Sequence, residues 1–125
     1  MLDAVHPETL CHEILQALQK LESVFVAGMN EPLGWFKMRF GQSFAVLAAC
    51  RMLQTCRTGI VESKRSAVLW AEQTLDPTWH ELIRKAWAER TGVRYGEKIR
   101  QAAEARLVQD TVAFLAYARS LSTMP

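Results

Sequence analysis

The sequence lacks the features that mark several common classes of protein. Its longest uninterrupted apolar run, residues 44–50, is far too short to cross a membrane as a helix. The N-terminus has no charged start followed by an apolar segment, as a secretory signal would have. The net charge is only +2, which is too small to indicate general nucleic-acid binding. We therefore expect a cytoplasmic protein with neither a membrane nor a nucleic-acid partner.

Cysteine is scarce and follows no pattern. The chain has three cysteines and no Cys-x-x-Cys pair, which favours a reducing compartment and small-hydrophobe roles. We predict no disulfide framework. His6, Cys11 and His12 are close in sequence, but no partner pair at ligand spacing completes a metal site. No serine or cysteine stands in an arrangement typical of an activated nucleophile, so we predict neither a metal site nor a catalytic residue.

Paired carboxylates are missing as well. No Asp-x-Asp, Glu-x-Glu or Asp-x-Glu occurs anywhere in the chain. Nucleotide transfer needs clustered carboxylates that bind a hard cation and activate the attacking hydroxyl. Between Glu31 and Glu62 there is no acid at all, and the cations there are Lys37, Arg39, Arg51 and Arg57. We do not expect the chain to transfer a nucleotide by itself.

The pattern that is present is helical. Apolar residues make up 50% of the chain and recur at helical spacing in five segments, with no convincing strand. The predicted helices cover approximately residues 7–28, 35–56, 64–74, 77–92 and 95–121. A chain of 125 residues has room for one good core, so we predict a single helical domain over residues 1–125. Short connections favour an all-α antiparallel bundle of about five helices.

The tryptophans allow more than one interpretation. We predict Trp70 and Trp87 in the core, because large aromatic side chains at helical spacing usually pack there. Trp35 follows Gly34 at the basic start of the second helix. Its ring could stack on the base or sugar of a ligand, or it could pack against a second subunit. Because so small a chain is so apolar, we expect an exposed apolar patch and predict a homodimer.

The start of the third helix carries an unusual charge. Ser63 is a good N-cap, and the first turn after it contains Lys64 and Arg65 where acidic residues are typical. Cations among the free N–H groups of a helix start cost about 0.3–1 kcal/mol each unless an anion binds there. One interpretation is therefore an anion site. The other is two solvated cations on a surface helix.

The same stretch resembles the helical C-terminal domain of the aminoglycoside (streptomycin/spectinomycin) adenylyltransferases. In that family a long buried helix carrying an arginine ends in Thr-Gly, and a Ser-Lys start then opens a helix with a tryptophan and a Leu-Pro turn. The matching residues here are Arg51, Thr58, Gly59, Ser63, Lys64, Ala67, Trp70 and Leu75, with Asp76-Pro77 at the turn. The resemblance covers about residues 44–92. It implies that Lys64 contacts a nucleotide triphosphate.

Two departures from the family limit what the resemblance implies. The family's enzymes have an N-terminal nucleotidyltransferase domain whose Gly-Ser and Asp-x-Asp residues hold Mg²⁺ and the phosphates, and these motifs are absent here. The family also supplies acids near its long helix for polycationic aminoglycosides, where this chain has cations that would repel them. A tyrosine that lines the family's nucleotide site aligns with Arg90. The comparison keeps anion binding and puts drug binding in doubt.

Three hypotheses follow. The first is a non-catalytic, stand-alone binding module without an intrinsic cofactor, whose candidate ligand is ATP with Mg²⁺. Its candidate ligand-binding residues are Ser63, Lys64, Arg65, Arg51, Arg90 and Trp35. The second is half of an enzyme, completed in trans by a separate nucleotidyltransferase domain. The third is a dimeric interaction bundle with no ligand.

Overall fold

A computed structural model describes residues 7–28, 39–92 and 103–122. Within these ranges five α-helices and one turn of 3-10 helix occur, and no strand. The helices are α1 (Pro7–Gly28), α2 (Arg39–Thr58), α3 (Lys64–Thr74), the 3-10 turn Pro77–Trp79, α4 (His80–Gly92) and α5 (Ala105–Ser122). The predicted all-α bundle of five helices is confirmed.

Helix α2 is the centre of the bundle. It packs against α1, α3, α4 and α5, and α1 and α5 also pack on each other. Leu47, Cys50 and Leu53 on α2 are almost fully buried. A helix surrounded by partners needs apolar residues around most of its circumference, and the middle of α2 has them.

Local capping residues set the ends of the central helices. Gly59 ends α2 with a φ of +76°, and its N–H donates to the Thr55 carbonyl at 2.8 Å. Ser63 begins α3 by accepting the Ser66 N–H on its Oγ at 3.1 Å. Asp76 accepts the Thr78 N–H at 2.9 Å, but one turn of 3-10 helix precedes α4 where we predicted a continuous α-helix. Such turns are common at the N-termini of α-helices.

A buried polar contact joins α2 to α5 within the apolar core. Gln42 Nε2 donates to Thr111 Oγ1 at 2.9 Å, and that hydroxyl donates to the Leu107 carbonyl at 2.7 Å. Both side chains are buried, so the pairing avoids the cost of unsatisfied polar groups. The largest fully buried apolar side chains of the core include Leu18, Phe25, Leu47, Leu53, Ile83, Phe114 and Leu115.

The tryptophans are more exposed than the sequence predicted. Trp70 and Trp87 are half-buried and pack against the edge of the core, so the prediction that they are core residues is wrong. An indole ring has an apolar body and one N–H that needs a partner, which favours such a boundary position. Trp35 lies outside the described residues, and neither interpretation of it is tested.

Two of the three cysteines form a disulfide. Cys11 on α1 and Cys56 on α2 are 45 residues apart in sequence, and their Cα atoms lie 4.8 Å apart. The prediction of no disulfide is therefore wrong, because it considered cysteine spacing and not the packing of α1 on α2. Cys50 is free and buried, and its burial raises the pKa of the thiol to about 12. The cysteines thus give no support to a reducing compartment.

Candidate anion-binding site

Five of the six predicted ligand-binding residues lie around one pocket. This open pocket of about 440 Å³ is lined by Arg51, Ser63, Lys64, Arg65, Trp87 and Arg90, and we call it the cation pocket. Its cations come from three helices, namely α2, the first turn of α3 and the last turn of α4. The sixth predicted residue, Trp35, lies outside the described residues. Trp87 is an additional lining residue that the sequence analysis had assigned to the core.

The connection between α2 and α3 fixes the position of the cations. The positive φ of Gly59 ends α2 and allows the chain to turn towards the Ser63 cap. Arg51, two turns before the end of α2, donates from Nε to the Glu62 carbonyl at 3.3 Å. This bond ties the arginine to the residue that precedes the cap. Arg51 and Lys64 are therefore held beside each other by the backbone of one short loop.

The loop between α2 and α3 contains one carboxylate, that of Glu62, and this carboxylate accepts hydrogen bonds from two neighbouring side chains. Glu62 Oε2 accepts a bond from Gln54 Nε2 at 2.7 Å and another from Ser66 Oγ at 2.9 Å. Gln54 is buried, and its Nε2 also donates to Ser66 Oγ at 3.1 Å. Neither Gln54 nor Ser66 was predicted from the sequence. Glu62 precedes the Ser63 cap and lies outside α3, so helical spacing gives no signal for its bonds to these two residues.

The cations of the pocket affect one another. Burial lowers the pKa of Lys64 below its usual range, and the nearby positive charges of Arg90 and Arg51 lower it further. Among the described residues, the salt bridges join other pairs and none involves Arg51, Lys64 or Arg65. Positive charge therefore accumulates at the start of α3. An anion bound there would reduce both the mutual repulsion and the unfavourable interaction with the helix dipole.

The alternative of two solvated cations fits only one of the two residues. Arg65 is exposed, as that interpretation requires. Lys64 is partly buried, and so are Arg51 and Arg90. Partial burial alone does not decide between the interpretations, because long cationic side chains often bury their methylene stems and keep the charge in water. The observation that favours a site is the clustering of Arg51, Lys64 and Arg90 from three helices.

A second pocket adjoins the first. This groove of about 340 Å³ runs between α1 and α2, and its apolar lining includes Leu10, Ile14, Phe44, Ala48, Met52 and Val61. We call it the apolar groove. Arg51 and Lys64 line both the groove and the cation pocket. The groove was not predicted from the sequence, because it forms only when α1 packs on α2.

The described residues contain neither a metal-binding cluster nor a membrane-spanning helix. Within 7–28, 39–92 and 103–122, no group of three or more His, Cys, Asp or Glu side chains is placed to hold a metal ion. None of the helices in these ranges has the length and apolar character needed to span a membrane.

Comparison with known proteins supports the resemblance. The family model described as aminoglycoside adenylyltransferase, C-terminal domain, matches residues 1–117. This match extends well beyond the segment around the third helix on which the sequence resemblance was based. No curated protein and no solved structure matches the chain.

Proposed function

The chain belongs to the family of the aminoglycoside adenylyltransferase C-terminal domain, and we propose that its cation pocket binds the phosphate groups of a nucleotide. The candidate ligand is ATP with Mg²⁺. The observation that carries this proposal is the grouping of Arg51, Lys64 and Arg90 from three helices around one opening. The coupling of the lysine pKa to both arginines supports it, because it places all three charges within interacting distance.

The chemistry of the pocket suits phosphate in two ways. Guanidinium groups form paired hydrogen bonds with phosphate oxygens, and an ammonium group adds a compact charge. The start of α3 adds backbone N–H groups that have no helical acceptor, which are a common feature of phosphate sites. Trp87 is half-buried and lines the same pocket, so an aromatic ring lies beside these cations. A nucleotide has a complement for each of these features.

An aminoglycoside is a poor complement to the same pocket. Aminoglycosides are polycations and need carboxylates in their binding site. The described residues that line the cation pocket include no acid and four cations. At such short range, like charges repel even in a solvated pocket. We propose that this chain lacks the aminoglycoside binding that the family's name describes, and we expect streptomycin not to bind in the cation pocket.

A titration with ATP tests the proposal. Isothermal titration calorimetry with and without Mg²⁺ should detect binding to the wild-type chain. Lys64→Ala should weaken it by about tenfold to 100-fold, since a hydrogen bond to a charged group contributes about 1.5–3 kcal/mol. Lys20→Ala is the matched control, because Lys20 is an exposed lysine on α1 outside the pocket. Equal ATP affinity in wild type and Lys64→Ala would exclude this site assignment.

A second candidate function starts from the family to which the chain belongs. In an adenylyltransferase, a nucleotide held by the C-terminal domain would be used by a nucleotidyltransferase domain that supplies Mg²⁺ ligands. We propose, as this alternative, that the present domain completes such an enzyme. It predicts that ATP is bound but not consumed by the domain alone, and that pyrophosphate is released once the catalytic domain and its acceptor are added. Pyrophosphate release that is unchanged by Lys64→Ala would contradict it.

The homodimer stays a prediction. Val24 and Val26 on α1 are exposed large apolar side chains, and they are candidates for a subunit contact. Analytical ultracentrifugation of the wild type and a Val24→Ser/Val26→Ser variant would test this. A monomeric wild-type protein would exclude the dimer.

A further inference from the structure

Arg51 and Lys64 belong to two pockets at once. On one side they complete the cation pocket, and on the other they form the charged rim of the apolar groove. The two cavities are therefore neighbours that share their positive charge. A ligand with its anionic group at Arg51 and Lys64 has a polar cavity on one side and an apolar one on the other.

The groove is built from successive helical turns. Phe44, Ala48 and Met52 on α2 are spaced by four residues and share one face. Leu10 and Ile14 on α1 are also four residues apart and form the opposite wall. These side chains come from regular helices packed on each other, and the disulfide joins the same two helices at Cys11 and Cys56. The walls are thus supported by the fold.

The rim of the groove exposes apolar surface beside charge. Val61 lines the groove and is 72% exposed, and its neighbour Ile60 is 60% exposed. Both lie in the loop that Arg51 holds through the Glu62 carbonyl. Apolar surface covered by a ligand contributes about 25 cal/mol per Å² to binding. The charge of the rim selects an anion, and the lining selects an apolar group.

We infer that the apolar groove is a second subsite, which takes the apolar part of a small amphipathic anion whose phosphate or carboxylate group binds Arg51 and Lys64. This inference rests on the proposed function, because it uses the same two cations. Beside the nucleotide proposed above, it adds a second ligand class that the same two cations would bind: an anionic head joined to an alkyl chain or an apolar ring. A polycationic sugar has neither part.

A series of n-alkyl phosphates tests the inference. We expect affinity for the wild-type chain to rise by about twofold to fourfold for each methylene from methyl to hexyl phosphate, at concentrations below micelle formation. Lys64→Ala should weaken every member of the series. The measurement is a calorimetric or NMR titration with each phosphate.

Variants of the groove separate this inference from the proposed function. Val61→Ser should weaken hexyl phosphate binding by about threefold to tenfold and leave methyl phosphate and ATP unchanged. Leu69→Ser is the matched control, since Leu69 is 51% exposed and lies outside the groove. Ala48→Gln places a polar side chain on the groove wall and should also reduce the rise in affinity with alkyl chain length.

The outcomes have distinct meanings. If ATP or methyl phosphate binds but affinity does not rise with chain length, the groove is not a subsite and the proposed function survives. If affinity rises with chain length and Val61→Ser and Ala48→Gln have no effect, the chain binds elsewhere and the inference is overturned. If no phosphate binds at all, both proposals fail.

Discussion

The start of α3 and the start of α4 have similar caps but opposite charges. Before α4, Asp76 accepts the Thr78 N–H, Pro77 takes the first position of the 3-10 turn, and Glu81 adds an acid in the first turn of α4. At the start of α3, Ser63 is also a proper cap, yet the turn that follows has no acid and begins with Lys64 and Arg65. The α4 start agrees with the helix dipole, and the α3 start opposes it.

The difference separates a structural feature from a functional one. At the α4 start the Asp76 cap and the Glu81 carboxylate both favour the helix, and Glu81 also pairs with Lys85 at 3.1 Å. At the α3 start the cap stabilises the helix while the cations weaken it, and two of the neighbouring cations come from other helices. Residues from three helices together create this unfavourable clustering of positive charge. A bound anion explains it more easily than chance does. Reversing the charge at one start and removing the cap at the other would test this comparison.

The largest effect is expected from Lys64→Glu. The variant replaces an attraction to phosphate by a repulsion, so ATP affinity should fall by about 100-fold or more. The free energy of unfolding without ligand should instead rise by about 0.3–1 kcal/mol, because an acid at a helix start agrees with the dipole. Calorimetric titration and urea denaturation measure the two quantities. A loss of both affinity and stability would mean that Lys64 is structural and not a ligand-binding residue.

A smaller effect is expected at the other start. Asp76→Ala removes the acceptor of the Thr78 N–H and should lower the Tm by a few degrees, with ATP affinity unchanged. The side-chain and backbone hydrogen bonds from Thr78 hold the pKa of Asp76 below its usual range. The stability that this carboxylate contributes is therefore present above the ordinary pKa of aspartate and lost as pH falls through the lowered one.

Thermal unfolding at a series of acidic pH values checks both statements about Asp76. The difference in Tm between wild type and Asp76→Ala should shrink as pH falls, because protonation removes the same carboxylate that the substitution removes. Asp76→Asn is the matched variant, since it keeps an oxygen acceptor without the charge. A difference that is independent of pH would contradict the role of the carboxylate charge.

The features that sequence could predict are those set by short-range geometry. Ser63, Asp76 and Gly59 act through partners within four residues, so their roles follow from local rules of capping. The five-helix pattern follows from apolar spacing in the same way. Arg51 and Arg90 were different, because only the resemblance to a family connected them with Lys64. Spacing alone gave no reason to bring them together.

The features that sequence missed depend on how distant helices pack. The disulfide joins Cys11 to Cys56 across 45 residues, and nothing near either cysteine indicates the other. The apolar groove likewise needs α1 beside α2, and its helical lining residues follow the same apolar spacing as the rest of their helices. The half-buried position of Trp87 follows from its place at the edge of the cation pocket. Each depends on tertiary contacts that a single sequence does not specify.

The smallest effect, and the most specific to the α3 start, is a dependence of ATP affinity on alkaline pH. Burial and the two arginines lower the pKa of Lys64, so this lysine loses its proton at a lower pH than an ordinary lysine. Phosphate binds the protonated form and raises the pKa again, so affinity should fall as pH rises through the lowered pKa. Lys64→Arg should bind ATP without this pH dependence, because arginine stays protonated. The same decline in both proteins would show that another group titrates, and the comparison between the two starts would lose its electrostatic basis.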